Sequence, residues 1–169
     1  MVELEKNNMT RFFWLDTSAL IKLIINEKGS KDLEKIFNHP TYFFYSTEFC
    51  VYECYSALKR KLFREKSIDG EKYLRSIFMM MSYVENNQVR FSDIGEDYSV
   101  IFNETKQIIE EYSMDFIDAV QFILLSKGLL SKLAGESRPV LVTSDKNMIK
   151  VAKYKNIETW NPEEGEFNI

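Results

Sequence analysis

"RFFWLDTSALIKLII", residues 11–25, decides how the whole chain is read. An apolar run, Phe12-Phe13-Trp14-Leu15, stops abruptly at Asp16. Thr17 and Ser18 follow, and Leu20, Leu23 and Ile24 then recur at helical spacing. A short aromatic run ended by one polar step predicts a buried strand over residues 12–16. The trio Asp16-Thr17-Ser18 supplies the side chains that open a helix. The carboxylate therefore stands at the carboxyl end of a strand and at the amino end of a helix.

The same alternation continues along the chain. Ser30 is expected to cap an amphipathic helix over 31–38, stopped by His39-Pro40, and residues 42–45 (YFFY) read as a second buried strand. A long helix runs from Thr47 to about Lys66, and a break at Ser67-Ile68-Asp69-Gly70 precedes another over about 71–85. Residues 89–91 make a weak third strand. Ser92 or Asp93 opens a helix reaching about Glu111, and Ser113 opens one over 114–127 that Gly128 closes. Val140-Leu141-Val142-Thr143 is the strongest strand, 145–154 are helical, 157–159 form a last short strand, and Asn161-Pro162 ends regular structure. Strands alternating with helices indicate a parallel sheet covered on both faces. The expected architecture is an α/β, three-layer α/β/α sandwich with a central, mainly parallel five-stranded sheet. It forms a single domain over residues 1–169 with its core at about 11–162.

At 169 residues and 45% hydrophobic, the chain can close one substantial core. Residues 1–10 are polar with acidic members, and no apolar run nears the roughly 18 residues of a membrane span. A soluble, cytoplasmic protein with no membrane partner is expected. Cys50 and Cys54 lie four apart, but with His39 the only histidine they cannot complete a tetrahedral zinc site, so they read as buried thiols. A net charge of −4 argues against non-specific coating of nucleic acid. It is compatible with an enzyme whose carboxylates gather around a cation.

Ligands of parallel sheets collect at the carboxyl ends of the strands. Asp16 follows FFWL and Asp145 follows VLVTS, so both stand there. Each could be a helix cap and nothing more. Capping cannot account for Glu53, placed among Val51, Tyr52, Cys54, Tyr55, Ala57 and Leu58, where a carboxylate needs a partner, the plainer one being a lysine or arginine in a salt bridge. Asp118 lies among Phe116, Ile117, Ala119 and Val120, with Asp115 on the same side of the helix; placement near a helix N-terminus is the plainer explanation of that pair. Together Asp16, Glu53, Asp118 and Asp145 bring at least four carboxylates to one sheet edge. Two carboxylates about 5 Å apart repel by roughly 3 kcal/mol at an effective dielectric near 20. A hard divalent cation removes that cost, and all-oxygen ligands select Mg²⁺ or Mn²⁺ over zinc. Such sites serve phosphoryl chemistry, activating water and steadying charge on the leaving oxygen.

Four segments in this order, FFWLDTSALI, STEFCVYECYSALKR, DFIDAVQFILLSKG and VLVTSDKNMIKVAK, make the chain resemble the PIN-domain nucleases, in particular the VapC toxins of toxin–antitoxin modules. The resemblance runs from about Arg11 to Pro162. It implies Mg²⁺- or Mn²⁺-dependent cleavage of single-stranded RNA by an acidic quartet, carried here onto Asp16, Glu53, Asp118 and Asp145, with Asp115 the alternative to Asp118. It also implies that Ser18 or Thr143 hydrogen-bonds a ligand or a coordinated water, that an antitoxin is a partner, and that the protein is a homodimer. Apart from the family, Arg60, Lys61 and Arg64 share a helical face with Ala57 and form a basic ridge for RNA phosphates; their plainer role is to complement a helix C-terminus. Phe78, Met79, Met80, Met81 and Tyr83 read as core or a partner face. The competing readings are a housekeeping RNA-processing or structure-specific DNA nuclease without antitoxin, and a non-catalytic binding module. A phosphatase of the haloacid dehalogenase type would want an aspartate at position 18, and Ser18 counts against it.

Overall fold

The structure, a computed structural model, describes residues 10–92 and 98–167. Five strands, β1 (Arg11–Leu15), β2 (Tyr42–Ser46), β3 (Val89–Phe91), β4 (Val140–Val142) and β5 (Thr159–Trp160), form one sheet in the order β3-β2-β1-β4-β5. Every pairing is parallel. Successive side chains of a strand face opposite ways, and β1 shows what that does. Phe13 and Leu15 enter one core with Phe44, Val140 and Val142, while Trp14 enters the other with Leu141.

Helices cover both faces. On the first lie α1 (Thr17–Ile24), α2 (Ser30–Phe37), α3 (Glu48–Arg60) and α4 (Gly70–Glu85). On the second lie α5 (Tyr98–Tyr112), α6 (Phe116–Lys127) and α7 (Lys146–Tyr154). The expected three-layer α/β/α sandwich is thus observed, with a wholly parallel sheet. No helix among the described residues is long and apolar enough to cross a membrane.

Local boundaries differ from expectation where tertiary contacts decide them. Ser30 does not cap α2. Gly29 occupies that position at φ 84°, and Ser30 Oγ instead accepts from Glu27 N–H and donates to Ile25 O. Only glycine fits there, because a Cβ would stand 2.7 Å from the Pro162 carbonyl. Beyond Arg60 the chain widens into a π-helical turn, Lys61–Glu65, closed by Lys66 at φ 53°. Asp115, not Ser113, caps α6, because Ser113 takes the left-handed conformation, φ 53°. The final strand starts two residues later than expected and ends one later, since Trp160 is the side chain that reaches the core. Regular structure also continues past Asn161, which caps a short 3₁₀ turn, Pro162–Glu164. Asp93 falls outside the described residues. Cys50 and Cys54 are free and buried, and burial pushes the Cys50 thiol up to about 11. Of the methionine run, Met80 is fully buried while Phe78 is exposed on the outer side of α4.

Candidate metal centre

Counting outward from β1, the chain adds β2 and β3 on one side and β4 and β5 on the other. The gap between β1 and β4 is therefore the point where connections diverge, and crevices open there at the carboxyl ends of strands. Asp16 follows β1 and Asp145 lies three residues past β4. They flank that crevice.

Asp16 is held on every side. Its Oδ1 accepts from Ala19 N–H and from Ser18 Oγ, each at 2.8 Å, and its Oδ2 accepts from Thr143 Oγ1 at 2.6 Å. Both hydroxyls are aimed by the turn after β4: Ser144 N–H donates to Ser18 Oγ, and Asp145 N–H donates to Thr143 Oγ1, each at 2.9 Å. A hydroxyl that accepts a backbone proton is left to give its own to the carboxylate. Ser18 and Thr143 thus lock Asp16 across the β1–β4 gap. Burial raises the Asp16 carboxyl from 3.8 to about 6, opposed by Thr143, Ala19, Ser18 and the charge of Lys22.

Glu53 projects from the second turn of α3 and is half-buried. Its Oε2 accepts from Thr17 Oγ1 at 2.5 Å, so a hydroxyl and not a cation answers its burial. Asp118 lies in the first turn of α6, and its amide donates to the capping carboxylate of Asp115 at 3.0 Å. Desolvation, then the charges of Asp115, Asp16, Asp145 and Glu53, push Asp118 up to about 7. The charges that act on Asp118 are thus those of the other four acids of the same edge. Asp145 is exposed and caps α7, accepting from Asn147 and Met148 N–H.

Asp16, Glu53, Asp115, Asp118 and Asp145 therefore share the carboxyl edge, and no ion pair among the described residues includes any of them. Asp115 and Asp145 are helix caps as well, so for them capping and site membership coexist. As the side chains stand, no three His, Cys, Asp or Glu among the described residues converge closely enough to hold a metal ion. The donor set still suits a hard cation in kind, being all carboxylate, mutually repelling and without a basic partner.

The basic ridge is arranged differently. The face drawn through residues 57, 60, 61 and 64 is interrupted where the π turn begins. Arg60 pairs with Glu65 at 3.1 Å and Lys61 with Glu27 at 2.6 Å, while Arg64 is exposed. Nearer the acids, Phe116 follows Asp115 directly, is 37% exposed, and packs edge-on against Phe49, one helical turn before Glu53. Two supporting residues were not singled out in the sequence. Thr17 was visible only as a turn residue, yet it is the group that holds Glu53. Gln121 had a signal in plain view: it is the one amide in the apolar run AVQFILL, and it is fully buried.

No protein-family model and no curated protein matches the chain. Among solved structures, PAE2754 from Pyrobaculum aerophilum aligns over 92% of this chain and 91% of its own, with a TM-score of 0.57 and 19% identity. VapBC2 from Rickettsia felis, bound to a DNA fragment from its promoter, aligns over 89% of this chain and 98% of its own, with a TM-score of 0.52 and 12% identity. At these identities the likeness is one of fold, and the fold is of the PIN type seen in VapC.

Proposed function

We propose that the protein is a metal-dependent endoribonuclease that hydrolyses phosphodiester bonds of single-stranded RNA. The observation that carries this reading is the placement of Asp16, Glu53, Asp118 and Asp145, with Asp115, along one sheet edge, none of them in an ion pair among the described residues. Asp16, Glu53, Asp118 and Asp145 are the residues that would hold Mg²⁺ or Mn²⁺. When bound, the ion would supply an activated water and would stabilise the charge of the departing oxygen. Ser18, Thr143 and Thr17 hold Asp16 and Glu53 by hydrogen bonds and so limit the orientations these two acids take. Arg64 is the most available of the three ridge cations for a phosphate, since Arg60 and Lys61 engage acids in the free protein.

The VapC-like fold supports a role as the toxin of a toxin–antitoxin pair, acting in the cytoplasm as a homodimer and restrained by an antitoxin protein. A small neighbouring gene for a DNA-binding partner would favour that role over RNA processing. Incubation with labelled single-stranded RNA and Mn²⁺ tests the chemistry. Cleavage should stop with EDTA and should fall at least about 100-fold in Asp16→Asn. Cleavage indifferent to both changes would refute the mechanism, and preferential cutting of DNA would move the substrate assignment.

A further inference from the structure

The geometry points to Gln121 as a positioning residue for Asp118, itself anchored by the indole of Trp14. This rests on the reading of Asp118 as a metal-holding acid. Gln121 lies in α6 between Val120 and Phe122, and Trp14 in the central strand β1; all four side chains are buried, Gln121 and Trp14 completely. Trp14 Nε1 donates to Gln121 Oε1 at 3.0 Å, and Gln121 Nε2 approaches Asp118 Oδ1 at 3.5 Å.

The direction of this chain is imposed by chemistry. An indole nitrogen can only donate, so Gln121 must turn its oxygen toward Trp14. Its amino end then points toward Asp118, and an amino group can only donate in turn. A buried amide needs partners at both ends, and Trp14 and Asp118 are those partners. A leucine would fill the same place in the helix with no such demand. The amide therefore ties a carboxylate at the sheet edge to the central strand β1, and limits the orientations Asp118 can take. Outer-shell donors of this sort change metal affinity or activity by about 10–100-fold when removed.

The protein has two tryptophans, and Trp160 donates instead to Gly165 O at 2.9 Å. Its indole N–H is thus an internal control. In ¹⁵N spectra of the full chain, Mg²⁺ should shift the Trp14 indole resonance and leave that of Trp160 nearly still. In Gln121→Leu, and in the roomier Gln121→Met should the first fold poorly, the Trp14 response should disappear. Mg²⁺ affinity measured by calorimetry should fall about tenfold, with kcat reduced and KM for RNA unchanged at saturating metal. Trp14→Phe, which frees the amide without removing it, should lose less. A wild-type Mg²⁺ response beside an equal affinity and kcat in folded Gln121→Leu would overturn the inference alone. A wild-type protein indifferent to Mg²⁺ would overturn the metal reading and the inference together.

Discussion

Asp16 is subject to two opposing effects. Three hydrogen-bond donors favour its charged form, while near-complete burial disfavours it more, and its carboxyl group rises from 3.8 to about 6. An acid with a higher pKa in the fold than in the unfolded chain weakens the fold wherever it is ionised in both states. That penalty is fully present above the folded value and fades as the pH drops toward 3.8. The gap corresponds to on the order of 3 kcal/mol at pH 8. Asp118, raised to about 7, acts in the same direction, more weakly for its exposure to water. The metal-free protein should therefore melt higher at pH 5.5 than at pH 8, a difference that scanning calorimetry would show. Asparagine at position 16 can still cap α1 and can offer an amino group to Thr143. Asp16→Asn should accordingly raise the pH 8 melting temperature by several degrees while abolishing cleavage, and the gain should shrink by pH 5. A lower melting temperature in that variant would mean that the three donors outweigh burial.

Helix termini carry much of the site, and each has two tasks. Asp145 caps α7 through two backbone amides and also stands at the crevice. Asparagine caps about as well as aspartate, whereas alanine does not. Asp145→Asn should leave stability within about 0.5 kcal/mol and lose activity; Asp145→Ala should lose activity and about 1 kcal/mol more in urea unfolding. Much of this was legible in the sequence, because strand, cap and helix are local patterns: Asp16 and Asp145 stand where FFWL and VLVTS place them. The less legible elements had distant causes. Ser113 and Asp115 are both good caps by residue type, and the left-handed turn at Ser113 decided between them. The π turn after Arg60 carries no breaker residue; Lys61, its first member, reaches Glu27 in the loop after α1.

Across the whole molecule, the C-terminal segment is fastened to α1 and α2. Buried Lys22 meets Glu163 at 2.8 Å, with side-chain exposures of 5% and 35%. Phe167 packs against Phe13 and Trp160, and the Pro162 backbone leaves no room for a Cβ at Gly29. Removing one member of such a pair has unequal effects. Glu163→Gln strands an ammonium in the interior and should cost about 2 kcal/mol, whereas Lys22→Met removes that ammonium and should stay within about 1 kcal/mol of the wild type. Denaturant midpoints would show the asymmetry, and equal losses would show that Glu163 acts through something other than Lys22. Such pairs are invisible to a local reading, since Glu163 lies far along the chain from Lys22, just as Thr143 lies 127 residues from Asp16. That separation also has a consequence in time. During synthesis Asp16 emerges well before the turn that orients it and the acid at 145. A chain that has not yet reached residue 145 lacks both that acid and the hydroxyl at 143 that orients Asp16, so its carboxylate edge is completed only when the turn after β4 closes onto β1.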